Sequence, residues 1–161
     1  MANWDERFMN LARHIAEWSK DRSTKVGAVI VGPFNEVRAI GYNGFPRGIN
    51  DELPERHERP EKYLWVEHAE RNAIYNAARV GIPISGCRMY LPWFPCMDCA
   101  RAIIQSGIET LIALEPDVTD AKWGEDFKRA LRLFKEAGIS VKWFVPSSEL
   151  SQIGVRHGSA R

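Results

Sequence analysis

The chain has 161 residues, 45% of them hydrophobic and 27% charged, with a net charge of +1 at pH 7. That length suits one globular domain, and the near-neutral charge excludes the broad cationic surface that a nucleic-acid polymer requires. No run reaches the roughly 18 apolar residues of a membrane span, the charged N-terminus lacks a secretory h-region, and three cysteines are too few for a disulfide framework; a cytoplasmic protein is expected.

In chain order, Trp4, Phe8, Leu11, Ile15 and Trp18 recur at spacings of four and three, which predicts a helix with that apolar face inward. Residues 25–32 and 36–44 read as two strands joined by GPFN, an antiparallel hairpin. Residues 46–64 hold three prolines and ten charged side chains counting His57, the pattern of a long surface loop. Within that loop His57 is expected to be solvated rather than a ligand.

A second helix is predicted over 66–81, with Val66, Ala69, Ala73, Ala77 and Val80 on one face and Gly81 as its stop. Residues 87–92 read as a buried strand. Residues 96–107 form a helix entered through Pro95, residues 110–115 a strand, and residues 121–137 a helix presenting Trp123, Phe127, Leu131 and Phe134. The last strand is 140–145. The order α-β-β-α-β-α-β-α-β implies a three-layer α/β/α sandwich on a mixed five-stranded sheet, whose later strands are parallel. The domain is expected to span 1–146, followed by a polar tail over 147–161.

The chemistry concentrates in two short motifs, His68-Ala69-Glu70 and, twenty-eight residues after His68, Pro95-Cys96-Met97-Asp98-Cys99. Each is placed where a loop or strand enters a helix. The i, i+3 spacing of Cys96 and Cys99 puts both thiols on one face, and a helix N-terminus favours thiolates. Zinc accepts one imidazole and two thiolates, so His68, Cys96 and Cys99 supply three of four tetrahedral positions. Cys87 opens a core strand, His14 lies mid-helix and His157 lies in the tail; none has ligand spacing. An open fourth position is the mark of a catalytic ion.

Glu70 then has a role as general base and acid beside metal-activated water. In the first helical turn its side chain and that of His68 reach one pocket, although two residues mid-helix point about 200° apart. A thiol redox reading of Cys96 and Cys99 explains neither His68 nor Glu70.

HAE followed by PCMDC resembles the signature of the cytidine and deoxycytidylate deaminase superfamily. SKDRSTKVGAVIV (19–31), GYNGFPRGI (41–49), HAERNAIYNAA (68–78) and FPCMDCARAIIQSGI (94–108) resemble the deoxycytidylate (dCMP) deaminases within it. The likeness covers roughly residues 5–145. It implies one catalytic Zn2+ per chain on His68, Cys96 and Cys99, Glu70 as proton shuttle, and hydrolysis of dCMP to dUMP and ammonia.

The resemblance further implies that the Ala69 backbone meets the base carbonyl and that Asn43 meets the sugar. Lys25 is the first candidate for the phosphate, with Ser19 and Arg71 as helpers. Phe94 and Trp93 are candidate walls for the base. The partner is a small nucleotide, with no nucleic-acid polymer and no membrane, and a homo-oligomer, a dimer or hexamer, is expected. With no cysteine before residue 87, no second zinc is expected. The alternatives are a deaminase of another base or nucleoside (cytidine, guanine or tRNA adenosine) and a zinc-stabilised binding protein without turnover.

Overall fold

A computed structural model describes residues 3–146; the expected polar tail over 147–161, His157 included, lies outside the described residues. Five strands, β1 (Gly27–Val31), β2 (Val37–Tyr42), β3 (Arg88–Leu91), β4 (Thr110–Ala113) and β5 (Ser140–Trp143), form one sheet in the order β2-β1-β3-β4-β5. β1 is antiparallel to both β2 and β3, while β3, β4 and β5 are parallel. This is the mixed sheet that the element order predicts. Strands joined through a helix run parallel because the helix carries the chain back along the sheet.

The strands alternate between two apolar layers. Ala28, Ile30, Met89, Leu91, Leu111 and Ala113 face one cluster, with Ala69, Ala73 and Ala77 of α3 (Ala69–Val80), Ala100 and Ile103 of α4 (Met97–Gln105), and Phe127, Ala130 and Phe134 of α5 (Gly124–Glu136). Val29, Val31, Tyr90 and Ile112 face the other, with Phe8, Met9 and Ala12 of α1 (Trp4–Ala16). Three helices thus cover one face and one covers the other. The Tyr90 hydroxyl donates to Asp5 Oδ1 at 2.7 Å and pins the first turn of α1 to β3.

The buried face of α1 keeps Phe8 and Ile15 of the expected stripe, with Leu11 partly buried, but not its two tryptophans. Phe8, Met9, Ala12, Ile15 and Ala16 are buried, whereas Trp4 and Trp18 are 45% and 50% exposed. The cause is the closeness of α1 to β1. A Cβ on Gly27 would lie 2.1 Å from the Ala12 carbonyl oxygen and 2.6 Å from the Ala16 nitrogen. Such an approach needs alanines at the contact, so the tryptophans fall at the margins, Trp4 stacked on Phe8 and Trp18 edge-on to Tyr42.

Two further departures set the site. The long loop contains a 3-10 turn (Pro54–His57) and a one-turn helix, α2 (Lys62–Trp65), neither of which its charged composition announces. Helix α3 begins at Ala69 rather than at 66, because Glu67 pairs with Gly44 as a short continuation of the sheet. The Gly44 amide donates to the Glu67 carbonyl at 3.0 Å, and the Glu67 amide to the Gly44 carbonyl at 2.8 Å. This bridge stands immediately before His68, the N-cap of α3, and beside Asn43. Gly81 ends the helix in the left-handed conformation at φ 72°, as its position predicts.

Helix α3 lies almost on the backbone of β2. A Cβ on Gly41 would stand 2.3 Å from the Ala73 nitrogen and 2.4 Å from the Ala69 carbonyl oxygen, so Gly41→Ala must push the helix outward. Overpacking of this kind costs about 1–3 kcal/mol, and the thermal midpoint should fall by roughly 2–12 °C in a chain of this size. An unchanged midpoint would show that α3 is free to slide on the sheet.

Candidate metal centre and cavity

The loop after β3 runs through Trp93, Phe94 and Pro95 into α4, whose N-cap is Cys96. Helices α3 and α4 therefore start at the same edge of the sheet, and their N-cap side chains, His68 and Cys96, make no capping hydrogen bond. Both turn to a common point. His68 Nδ1 is 3.5 Å from Cys96 Sγ and 3.5 Å from Cys99 Sγ. Among the described residues these three form the one cluster of metal-ligating side chains, their ligand atoms lying within 4.8 Å of one another. Cys87 is buried in the apolar cluster under α3 and α4.

The triangle has the dimensions of a zinc ligand set. Tetrahedral zinc with Zn–N near 2.05 Å and Zn–S near 2.3 Å requires N···S separations of about 3.6 Å. The electrostatics agree. Donation from the Cys99 thiol lowers Cys96 to about 4, with burial opposing and His68 assisting. The same bond, together with burial, pushes Cys99 far up. Cys96 also raises His68, against its burial. The two sulfurs thus hold one proton between them, so that uptake of a cation here would be linked to loss of that proton.

Glu70, the second residue of α3, lines the cavity that opens beside the cluster and is only 3% exposed. Burial raises its pKa, while the neighbouring His68 works the other way. A buried carboxylate with a raised pKa takes up a proton more readily than an exposed one, which fits a general base rather than a surface acid. His68, Ala69, Cys96, Phe94 and Trp93 line the same cavity. Phe94 is held edge-on to Phe127 at 5.7 Å, whereas Trp93 stays half-exposed at the mouth.

Asn43 also reaches the wall, and its amide is nearly spent. Its Oδ1 accepts from the Val26 amide at 2.8 Å, and its Nδ2 donates to the Thr24 carbonyl at 2.8 Å and to Asp21 Oδ2 at 3.3 Å. A main-chain donor and a main-chain acceptor together set the orientation of the amide. One lone pair of Oδ1 is left for a ligand.

The structure does not bring the other sequence candidates to the wall. Lys25 is exposed and outside the lining. Ser19 is buried behind it, its hydroxyl donating to the Asn43 carbonyl at 2.7 Å. Arg71 is taken up by Glu67, with Asp98 3.6 Å away. Burial works against the Arg71 charge, and the nearby Cys99 and Glu67 more than offset it.

The cations that do line the cavity come from the long loop, Arg59 and Lys62. Lys62 is already committed, 2.6 Å from Asp21 Oδ2 and donating to Ser23 Oγ at 2.7 Å. Burial disfavours the Asp21 carboxylate, but Lys62 and the Ser23 and Thr24 amides overcome it and hold its pKa below the usual range. Among the described residues no carboxylate pairs with Arg59, whose guanidinium lies 5.9 Å from the Tyr63 ring. Arg59 is exposed at this wall; the sequence flagged the loop by its length and charge, but which of its cations line the cavity depends on how the loop folds. His57, expected in solvent, is half-buried, 4.9 Å from the Phe45 ring and 2.6 Å from the Asp51 carbonyl oxygen. It lies apart from the cluster.

The model of the cytidine and deoxycytidylate deaminase zinc-binding region matches residues 2–115. The deoxycytidylate deaminase of Mus musculus is 41% identical over 148 residues, covering 89% of this chain and 80% of that one. An uncharacterised deaminase of Aliivibrio fischeri is 39% identical over 146 residues, covering 89% and 95%. The crystal structure of the dCMP deaminase of cyanophage S-TIM5 with dCMP and dUMP superposes with a TM-score of 0.70 at 25% identity, covering 86% and 95%. Among the described residues no helix is long and apolar enough to cross a membrane.

Zinc uptake by chelator-treated protein should release protons at neutral pH, at least about one, from Cys99, with His68 adding a share as pH falls toward its raised pKa. Calorimetry in buffers of different ionisation enthalpy measures this number, and apparent affinity should fall steadily from pH 8 to pH 5. Uptake with no proton release would contradict the shared-proton cradle.

Proposed function

The chain belongs to the cytidine and deoxycytidylate deaminase family, and from that premise we propose that it hydrolyses dCMP to dUMP and ammonia. The single observation that carries the reading is the buried Glu70 lining a cavity together with two members of a His-Cys-Cys cluster of zinc dimensions. His68, Cys96 and Cys99 would hold a zinc ion, which would supply Lewis-acid activation of water near neutral pH.

The rest is done by side chains of this chain. Glu70 takes a proton from the attacking water as its oxygen bonds to C4 of the cytosine. It delivers that proton to N3, then takes the remaining proton from the new C4 hydroxyl and passes it to the departing amine, so that the C4–N bond breaks, the C4 carbonyl forms and ammonia leaves. A carboxyl held up by burial suits both directions of this transfer. Phe94 and Trp93 flank the base, and the Ala69 backbone at the start of α3 meets its carbonyl. Asn43, with one lone pair in reserve, accepts a hydrogen bond from a sugar hydroxyl.

The phosphate goes to Arg59 in this reading, in place of Lys25. Arg59 is a lining cation that no carboxylate among the described residues neutralises. Lys62 serves instead to hold Asp21, and through it the Asn43 bracket.

Ammonia release separates this reading from its rivals. Wild-type protein should act on dCMP well above CMP, deoxycytidine, cytosine and guanine. Glu70→Gln should keep its zinc and lose roughly 10²-fold or more in turnover. Release from guanine and none from dCMP would overturn the substrate; unchanged turnover in Glu70→Gln would overturn the mechanism. For Arg59→Ala, KM for dCMP should rise about 10-fold or more with kcat little changed, the scale of a charge-assisted hydrogen bond, while deoxycytidine is unaffected. Equal losses on dCMP and deoxycytidine would place Arg59 away from the phosphate.

A further inference from the structure

Helix α4 receives no side-chain cap hydrogen bond from its own N-cap residue. Its first intrahelical bond runs from the Ala100 amide to the Cys96 carbonyl at 2.8 Å, which leaves the amides of the first turn without helical acceptors. An N-cap side chain ordinarily takes one of them. Here the N-cap is Cys96, whose sulfur is turned toward His68 and makes no cap bond.

The missing acceptor comes from another helix. The Met97 amide donates to Asp126 Oδ2 at 2.9 Å, across twenty-nine residues of sequence, from the first turn of α5. A carboxylate at that place also faces the positive end of the α4 dipole. The same turn of α5 holds the chain on the other side of the cysteine motif. Phe127 packs edge-on against Phe94, two residues before Cys96. One turn of α5 thus grips both the backbone and the aromatic side chain that flank the ligating cysteine.

We propose that Asp126 is a positioning residue for the metal centre, which sets the Cys96–Cys99 turn in ligating geometry by accepting the Met97 amide hydrogen. The proposal rests on the zinc reading above. Asp126 touches neither ion nor substrate in this assignment; it acts through the main chain of the turn that carries both sulfurs.

The test is zinc affinity of the full chain, measured by competition with a chromophoric chelator, together with the visible spectrum of the cobalt-substituted protein. Partners one step removed from a metal typically govern its affinity by 10–100-fold. Asp126→Ala should lose about 10-fold or more in zinc affinity and show altered cobalt bands. Asp126→Asn, which keeps a side-chain acceptor, should stay within about threefold of wild type.

Met97→Pro removes the donor instead of the acceptor. Proline is tolerated at the first helical position, and Cys96 at φ −70°, ψ 171° already has the backbone that a following proline requires. It should lose affinity as Asp126→Ala does, and it carries the test should the alanine chain fail to fold. Zinc affinity and cobalt bands unchanged in both Asp126→Ala and Met97→Pro would overturn the proposal, as would Asp126→Asn falling as far as Asp126→Ala. A wild-type chain that binds no zinc would instead overturn the zinc reading, and this proposal with it.

Discussion

The meeting of one imidazole nitrogen with two sulfurs, at 3.5 Å each, is the constraint on which the site depends. Three ligands can converge only if the first turns of α3 and α4 open at the same edge of the sheet. That requirement reaches back through the fold. Glycine at Gly41 lets α3 lie on β2, the Gly44–Glu67 bridge ends the extended chain one residue before His68, and the parallel β3–β4 pairing carries α4 alongside. Small residues and main-chain contacts, rather than large side chains, hold the placement.

Electrostatics then divide the labour inside the cluster. Two thiols that share one proton, an imidazole drawn toward its charged form and a carboxyl pushed toward its neutral form make a site short of positive charge. A divalent cation resolves all of these at once. The Asp21–Lys62 pair lines the same cavity, and the hydrogen bonds of Asn43 with Asp21 and Val26 brace the segment 21–26. Breaking such a pair leaves an uncompensated buried charge, so Lys62 is bound to structure in a way that Arg59 is not.

The element order and the alternating strands were legible because hydrophobic periodicity survives without any tertiary information. On α1 the apolar stripe predicts Phe8 and Ile15 correctly and the two tryptophans wrongly, for a physical reason. Periodicity counts bulk, and a helix lying on a glycine backbone buries its alanines and sheds its tryptophans to the rim. Lys25 was the expected phosphate contact, but it lies outside the cavity lining, whose cations Arg59 and Lys62 come from a loop whose fold a run of charges and prolines does not reveal. Asp126 carried no signal at all, since an acid in the first turn of α5 reads as a response to its own helix dipole.

By itself the sequence determined which chemistry-bearing residues stand together at helix starts: a histidine and a glutamate at the head of α3, and two cysteines at the head of α4. These follow from residue type and spacing within a few positions, where the geometry of one turn is already set. The tertiary structure alone decided which side chains surround that chemistry, because residues as far apart as Met97 and Asp126, or Asn43 and Thr24, meet only when the whole sheet and its helices are assembled.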